Sequence, residues 1–208
     1  MTNLTLVLGD LVEQHAEALV NPANSQLLGG SPDSVDGQIH ARAGRALTKE
    51  CRELRETRYG RGLATGQSAA TTAGRLQALW VIHTVGPHWD RYDDRSSLLA
   101  SCYRTSLEVA AELGARTVAV PAVSTGNHRW PLDDAARIAV RTVRETLTAW
   151  ETTGKARGQG KAQGQRQAED LRRRARAAGA RTLEEVRFVL FNQRTYTAFE
   201  TAMAALGG

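Results

Sequence analysis

Apolar positions along this chain change period from block to block. LTLVL (4–8) is β-branched and apolar and predicts a strand, and ALVN (18–21) predicts a second. From Val35 to about Glu56 the spacing becomes helical, in two pieces broken near Gly44. QSAATTA (67–73) and LWVIHTV (79–85) read as strands separated by a turn at Gly74. Leu98, Leu99, Tyr103, Leu107 and Ala110 give residues 95–113 the stripe of an amphipathic helix. TVAVPAV (117–123) is apolar throughout, the pattern of a strand buried on both faces. Pro131 opens a further helix through about Ala149, with Asp133 and Asp134 in its first turn. VRFVLF (186–191) is the last strand and residues 195–205 the last helix.

Strands that alternate with helices predict a layered α/β domain with a largely parallel sheet. At 208 residues the chain suits one domain spanning 1–208. Residues 151–183 interrupt the alternation. GKARGQGKAQGQ is rich in Gly and Gln and has no core face, so it reads as a flexible linker or insertion, and AEDLRRRARAAG as a short solvated helix. There are no internal repeats.

Charge adds one correction to this picture. The net charge is +5, yet residues 155–181 hold nine Lys/Arg and two acids, a net +7. The remainder holds 18 basic and 20 acidic residues, a net −2. The high pI therefore belongs to one segment. Arg172, Arg173 and Arg174 there could touch nucleic acid, but no aromatic residues are interleaved to stack bases, and a solvated charge run is the simpler reading. No apolar run approaches the ~20 residues of a membrane span. The N-terminus has neither the basic region nor the cleavage site of a signal peptide. The two cysteines, Cys51 and Cys102, are far apart and outside any CxxC, so a reducing cytoplasm is the expected home. The five histidines show no HxH or HExxH spacing, so no metal is expected. His83 and His88, on either side of a GP turn, read as structural. Nor is there a GxSxG nucleophile elbow.

In open α/β sheets ligands sit beyond the carboxyl ends of strands, where loops lead into helix N-termini. Two loops here have that position. One follows strand 18–21 and carries Asn21, Asn24, Gly29, Gly30 and Asp36. The other follows strand 117–123 and carries Ser124, Thr125, Gly126, Asn127, His128, Arg129 and Trp130. Their glycines permit close backbone approach, and free N–H groups and helix dipoles favour an anion. Two such loops on one sheet edge suit a diphosphate.

GDLVEQHAEALVNPANSQLLGG, VDGQIHARAG, WVIHTVGPHW and VPAVSTGNHRWP, in this order, resemble the macrodomain family of ADP-ribose-binding proteins of the Appr-1''-p processing type, especially its MacroD-type hydrolases. The resemblance runs from about 4 to 149 and resumes at 186–205. It implies a three-layer α/β/α sandwich around a six-stranded mixed sheet, with an ADP-ribose cleft across its top. It implies that Asp10, with Leu11 beside it, receives the adenine amino group. A helix N-cap is the plainer alternative for Asp10. Asn24 matches a contact to the distal ribose, although an asparagine also makes Asx turns. Asn21 would bridge loop backbones. Asp36, with Val35 before it, matches the aspartate that works near the distal ribose, and it also suits a helix dipole. Gly29 and Gly30 belong to the same loop. Ser124, Thr125, Gly126, Asn127 and His128 match the diphosphate loop. Trp130 stands where an aromatic residue borders the distal ribose, and would serve equally as core. Phe191 and Asn192 stand where the adenine pocket closes.

Two departures stand out. GGSPDSVDG is two residues longer than the family's GGGGVDG, contains Pro32, and offers Asp33 as a rival carboxylate, with capping by Asp33 or Ser34 as the simpler role. GNHR replaces GVYG after the STG, with Arg129 facing either phosphate or solvent. The implied activity is hydrolysis of mono-ADP-ribose from acidic side chains of proteins, or deacetylation of O-acetyl-ADP-ribose. Catalysis would rest on Asp36 and Asn24, with no cofactor. Two other readings are a non-catalytic ADP-ribose reader and a nucleic-acid-associated protein that uses 155–181.

Overall fold

The computed structural model describes residues 2–153 and 183–207. Six strands, β1 (Asn3–Leu8), β2 (Ala18–Pro22), β3 (Ser68–Thr72), β4 (Trp80–Thr84), β5 (Thr117–Val120) and β6 (Glu185–Leu190), form one sheet in the order β1-β6-β5-β2-β4-β3. All neighbours are parallel except β3 and β4, the antiparallel pair turned at Gly74. The helices are α1 (Val35–Ala43), α2 (Arg45–Thr57), α3 (Ser96–Glu112), α4 (Leu132–Thr153) and α5 (Gln193–Gly207). Among the described residues no helix is long and apolar enough to cross a membrane.

Alternation along the inner strands produces two cores. Ala18, Val20, Trp80, Ile82, Val118, Val120, Val186 and Phe188 face one side, where α3, α4 and α5 cover them. Leu19, Val81, Ala119 and Val189 face the other, where α1 and α2 cover them. Because successive side chains point to opposite faces, a strand covered on both faces is apolar at nearly every position, and its few polar residues, such as Asn21 and His83, must find partners. This is the three-layer sandwich that the sequence implied.

Two elements differ from expectation. The strand predicted over 117–123 stops at Val120, because Pro121 has no N–H for the ladder. Residues 121–123 instead begin the second cleft loop. Helix α4 runs to Thr153, past Ala149, so the first residues of the expected linker are helical. The rest of that segment, with the arginine run and the short helix predicted there, lies outside the described residues.

The parallel strands β2, β5 and β6 all end on one edge. The β2–α1 loop (23–34), the β5–α4 loop (121–131) and the start of α5 therefore meet over that edge.

Candidate functional site

A cleft of about 540 Å³ lies between these loops, within the usual range of ligand pockets. Asp10, Leu11, Asn24, Gly30, Asp33, Val35 and Asp36 line one side. Ser124, Thr125, Gly126, Asn127 and His128 line the other, and Phe191 and Asn192 stand at the end of β6.

The first loop is organised around Asp36. Ser34 caps α1 by accepting the Gly37 N–H at 3.0 Å. Ser34 N–H also closes a turn onto the Ser31 carbonyl at 2.9 Å, which takes up the lengthened part of the loop. Asp33 is left exposed on the cleft wall. Asp36 follows in the first turn of α1 and is 4% exposed. Gly37 is required here by close approach: a Cβ would sit 2.0 Å from the Ser31 carbonyl oxygen.

The carboxylate is held by side chains. Asn21 Nδ2 donates to Asp36 Oδ1 at 2.7 Å and Asn24 Nδ2 to Oδ2 at 3.2 Å. The His40 ring, one turn along α1, brings Nε2 to 3.5 Å from Oδ1. Burial raises the Asp36 pKa, and the Asn21 bond, His40 and Asn24 only partly offset it. Burial lowers the pKa of His40, opposed by the charge of Asp36. At pH 7 the carboxylate therefore has amide dipoles against it but a neutral imidazole.

Behind this pair, side chains that hold Asn21 form a cluster that spacing in the sequence did not reveal. His40, Cys51 and His83 bring ring nitrogens and sulfur within 4.8 Å of one another, a cluster that the absent HxH and HExxH patterns gave no hint of. Its hydrogen bonds define its chemistry. Asn21 Nδ2 also lies 3.1 Å from His83 Nδ1, and an amide N–H only donates. The ring proton is therefore on Nε2, 2.9 Å from Thr71 Oγ1. His83 then has no lone pair to offer a metal. Burial drives its pKa down to about 3 and pushes the Cys51 thiol up to about 12. The trio is a neutral packing unit that fixes Asn21, and Asn21 fixes Asp36. The one sequence signal was a lone histidine inside the buried strand WVIHT.

The second loop is held by backbone. Ser124 and Arg129 both adopt left-handed φ values, +67° and +56°, a strain that persists only where surroundings enforce it. Trp130 N–H reaches the Ser124 carbonyl at 3.0 Å and Arg129 N–H the Gly126 carbonyl at 2.9 Å. From α3, the Tyr103 hydroxyl accepts the Val123 N–H at 2.9 Å and donates to the Pro121 carbonyl at 3.4 Å. This buried brace is a second feature that the sequence did not signal. Gly86 lets the loop close in, since a Cβ there would lie 2.4 Å from Ser124 Oγ. That hydroxyl is buried without a partner.

Not every expected residue lies on the wall. Asn21 is fully buried behind Asp36 and bridges side chains rather than loop backbones. The Gly29 carbonyl accepts from Asn24 Nδ2 at 2.8 Å, away from the wall. Asn24 Oδ1 makes the Asx turn to Gln26 N–H at 3.0 Å, so its whole amide serves the loop and Asp36. Trp130 is core: it is 5% exposed and its indole N–H donates to Asp134 Oδ2 at 2.8 Å. Asp10 lines the cleft and also caps the short 3₁₀ turn Leu11–Glu13, accepting Val12 N–H at 3.0 Å. Phe191 is 75% exposed at the mouth. Asn192 Oδ1 accepts the Thr195 N–H at 2.9 Å at the start of α5. Arg129 points to solvent.

The model of the Macro domain family matches residues 20–139. A macro domain-containing protein from Streptomyces nogalater is 55% identical over 96% of this chain and 91% of its own. Among solved structures, an Oceanobacillus iheyensis macrodomain with ADP superposes with a TM-score of 0.76 at 30% identity, covering 99% of this chain and 92% of that one. A Trypanosoma brucei macrodomain in complex with ADP-ribose does so at 0.73 and 30%, covering 96% and 68%. With the sandwich, the strand order and the two cleft loops in place, this chain belongs to the Macro domain family.

Proposed function

We propose that the protein binds ADP-ribose in this cleft and hydrolyses it from acidic side chains of proteins, from O-acetyl-ADP-ribose, or from both. The observation that carries the reading is Asp36: a buried carboxylate with a raised pKa, gripped by two amides at the floor of a nucleotide-sized cleft. The relatives crystallised with ADP and ADP-ribose support the choice of ligand.

In this reading the diphosphate rests on the N–H groups of Ser124–His128 and the adenine lies between Asp10 and Phe191. The distal ribose then reaches Asp36. A water beside Asp36 gives it a proton as the water oxygen bonds to the anomeric carbon or to the acyl carbon. The bond from the anomeric carbon to the departing carboxylate breaks with its electron pair; in the acyl case the bond to the ribose oxygen breaks instead, and that oxygen takes back the proton held by Asp36. A carboxylate is a good leaving group, which suits a site with no strong acid beside the base. Raising the Asp36 pKa strengthens the base, and Asn21 and Asn24 keep its ionised form aimed. The diphosphate cradle contributes affinity equally in ground and transition states, so it adds little to the rate.

Asp36→Asn tests this. Turnover of a mono-ADP-ribosylated protein falls about 10²-fold or more, while calorimetry shows ADP-ribose still bound. The wild-type rate rises with pH through a midpoint above the ordinary aspartate value, because only the ionised base works. Wild-type protein that binds ADP-ribose and releases none from modified protein would make this chain a reader.

A further inference from the structure

The cleft wall is short of positive charge. Asp10, Asp33 and Asp36 line it, and among the described residues no Lys or Arg does. Among the described residues, His128 is the one lining group able to become a cation. It stands where this chain has GNHR, and the fold ties it down. Its carbonyl accepts the Trp89 N–H at 2.9 Å. Its ring lies beside the carbonyls of Gly86 and Pro87 and stacks on His88, with centroids 3.7 Å apart and planes 31° from parallel. Ser124 Oγ, buried and unpartnered, lines the same side.

We propose that His128, backed by His88, is the anion-sensing residue of this cleft: a diphosphate seated on the Ser124–His128 loop draws one proton from solvent onto His128. This rests on the ADP-ribose reading above. Without bound ligand, burial first and the neighbouring His88 second hold the His128 imidazole below its ordinary pKa, against the two carbonyls, so it is neutral at pH 7. Two imidazoles stacked this closely share at most one charge comfortably. A bound diphosphate carries two negative charges that do not titrate between pH 6 and 8, and it favours the imidazolium. The other charges nearby are the three wall carboxylates, exposed Arg129, and Asp90 and Arg91 beyond Trp89 on the facing loop. Bound His128 thus has the higher pKa. The added affinity is complete below the free-state pKa and gone above the bound-state one, with a slope of at most about tenfold per pH unit.

Calorimetry with ADP-ribose at pH 6.5, in buffers of different ionisation heat, reads the proton directly. Wild type takes up a sizeable fraction of one proton, and its Kd tightens about three- to tenfold from pH 8 to 6. His128→Gln takes up none. His128→Lys, with a permanent charge, binds without pH dependence over that range. Binding by wild type with no proton exchange, or uptake that persists in both variants, overturns the inference and leaves the ADP-ribose reading standing. No binding at any pH by wild type brings down both.

Discussion

On the β2–α1 side of the cleft, side chains hold one another; on the β5–α4 side, main-chain links set the loop and the Tyr103 hydroxyl braces its start. Asn21, Asn24, His83 and Thr71 pass a chain of hydrogen bonds to Asp36, and each link is a particular side-chain atom. Ser124 with Trp130 and Gly126 with Arg129 are linked through main-chain N–H and carbonyl groups, and the φ angles of Ser124 and Arg129 set the shape of the loop. In the proposed reading, the first construction aims the general base Asp36. The second, in the proposed reading, presents donors to an anion, and because its links are mostly main-chain its side chains are freer to vary. Substitutions should therefore act differently on the two sides.

The largest effect is expected at Gly37→Ala. Its Cβ would meet the Ser31 carbonyl oxygen at 2.0 Å, and neither backbone can yield without moving Asp36. Overpacking of this kind costs about 1–3 kcal/mol, so thermal melting should show a clear fall in Tm together with a loss of turnover. A variant with wild-type Tm and turnover would mean that the Asp36 side is as adaptable as the other.

Tyr103→Phe comes next. It strips the brace from Val123 N–H and the Pro121 carbonyl, and leaving buried backbone groups unpaired costs about 1–3 kcal/mol. A lower denaturation midpoint with weaker ADP-ribose binding, and little change in the single-turnover rate at saturation, would mark the second loop as a binding element. A selective fall in that rate would contradict the division.

Gly126→Ala should do least. A Cβ there meets nothing within 4 Å, so Tm stays within the error of melting. Any loss of ADP-ribose affinity by calorimetry then measures how closely the ligand approaches the loop. A drop in Tm as large as that of Gly37→Ala would erase the contrast between the two sides.

Much of this was legible in the chain itself. The alternation of apolar blocks predicted six strands and five helices, because a parallel sheet covered on both faces leaves few polar positions inside it. The break at Gly44, the cap before Val35, the place of Asp36 in the first turn beyond the β2 loop and that of Ser124–His128 on a strand-end loop are local matters, decided by residues within a few positions. Pro121 illustrates the limit of pattern reading. Its neighbours look like strand, and Val123 is as buried as any strand residue, at 1% exposed, yet a missing N–H ends the ladder at Val120.

What the sequence by itself determined is the layering, the sheet edge where the loops meet, and the residue types offered there. Tertiary structure alone decided which of two carboxylates is buried, that Trp130 turns into the core, that Tyr103 braces a loop some twenty residues downstream, and that His40, Cys51 and His83 share one pocket. Those outcomes depend on distances between elements far apart in the chain. Hydrogen-bond partners and dielectric surroundings, which set what a titratable group can do, exist only once those elements have packed.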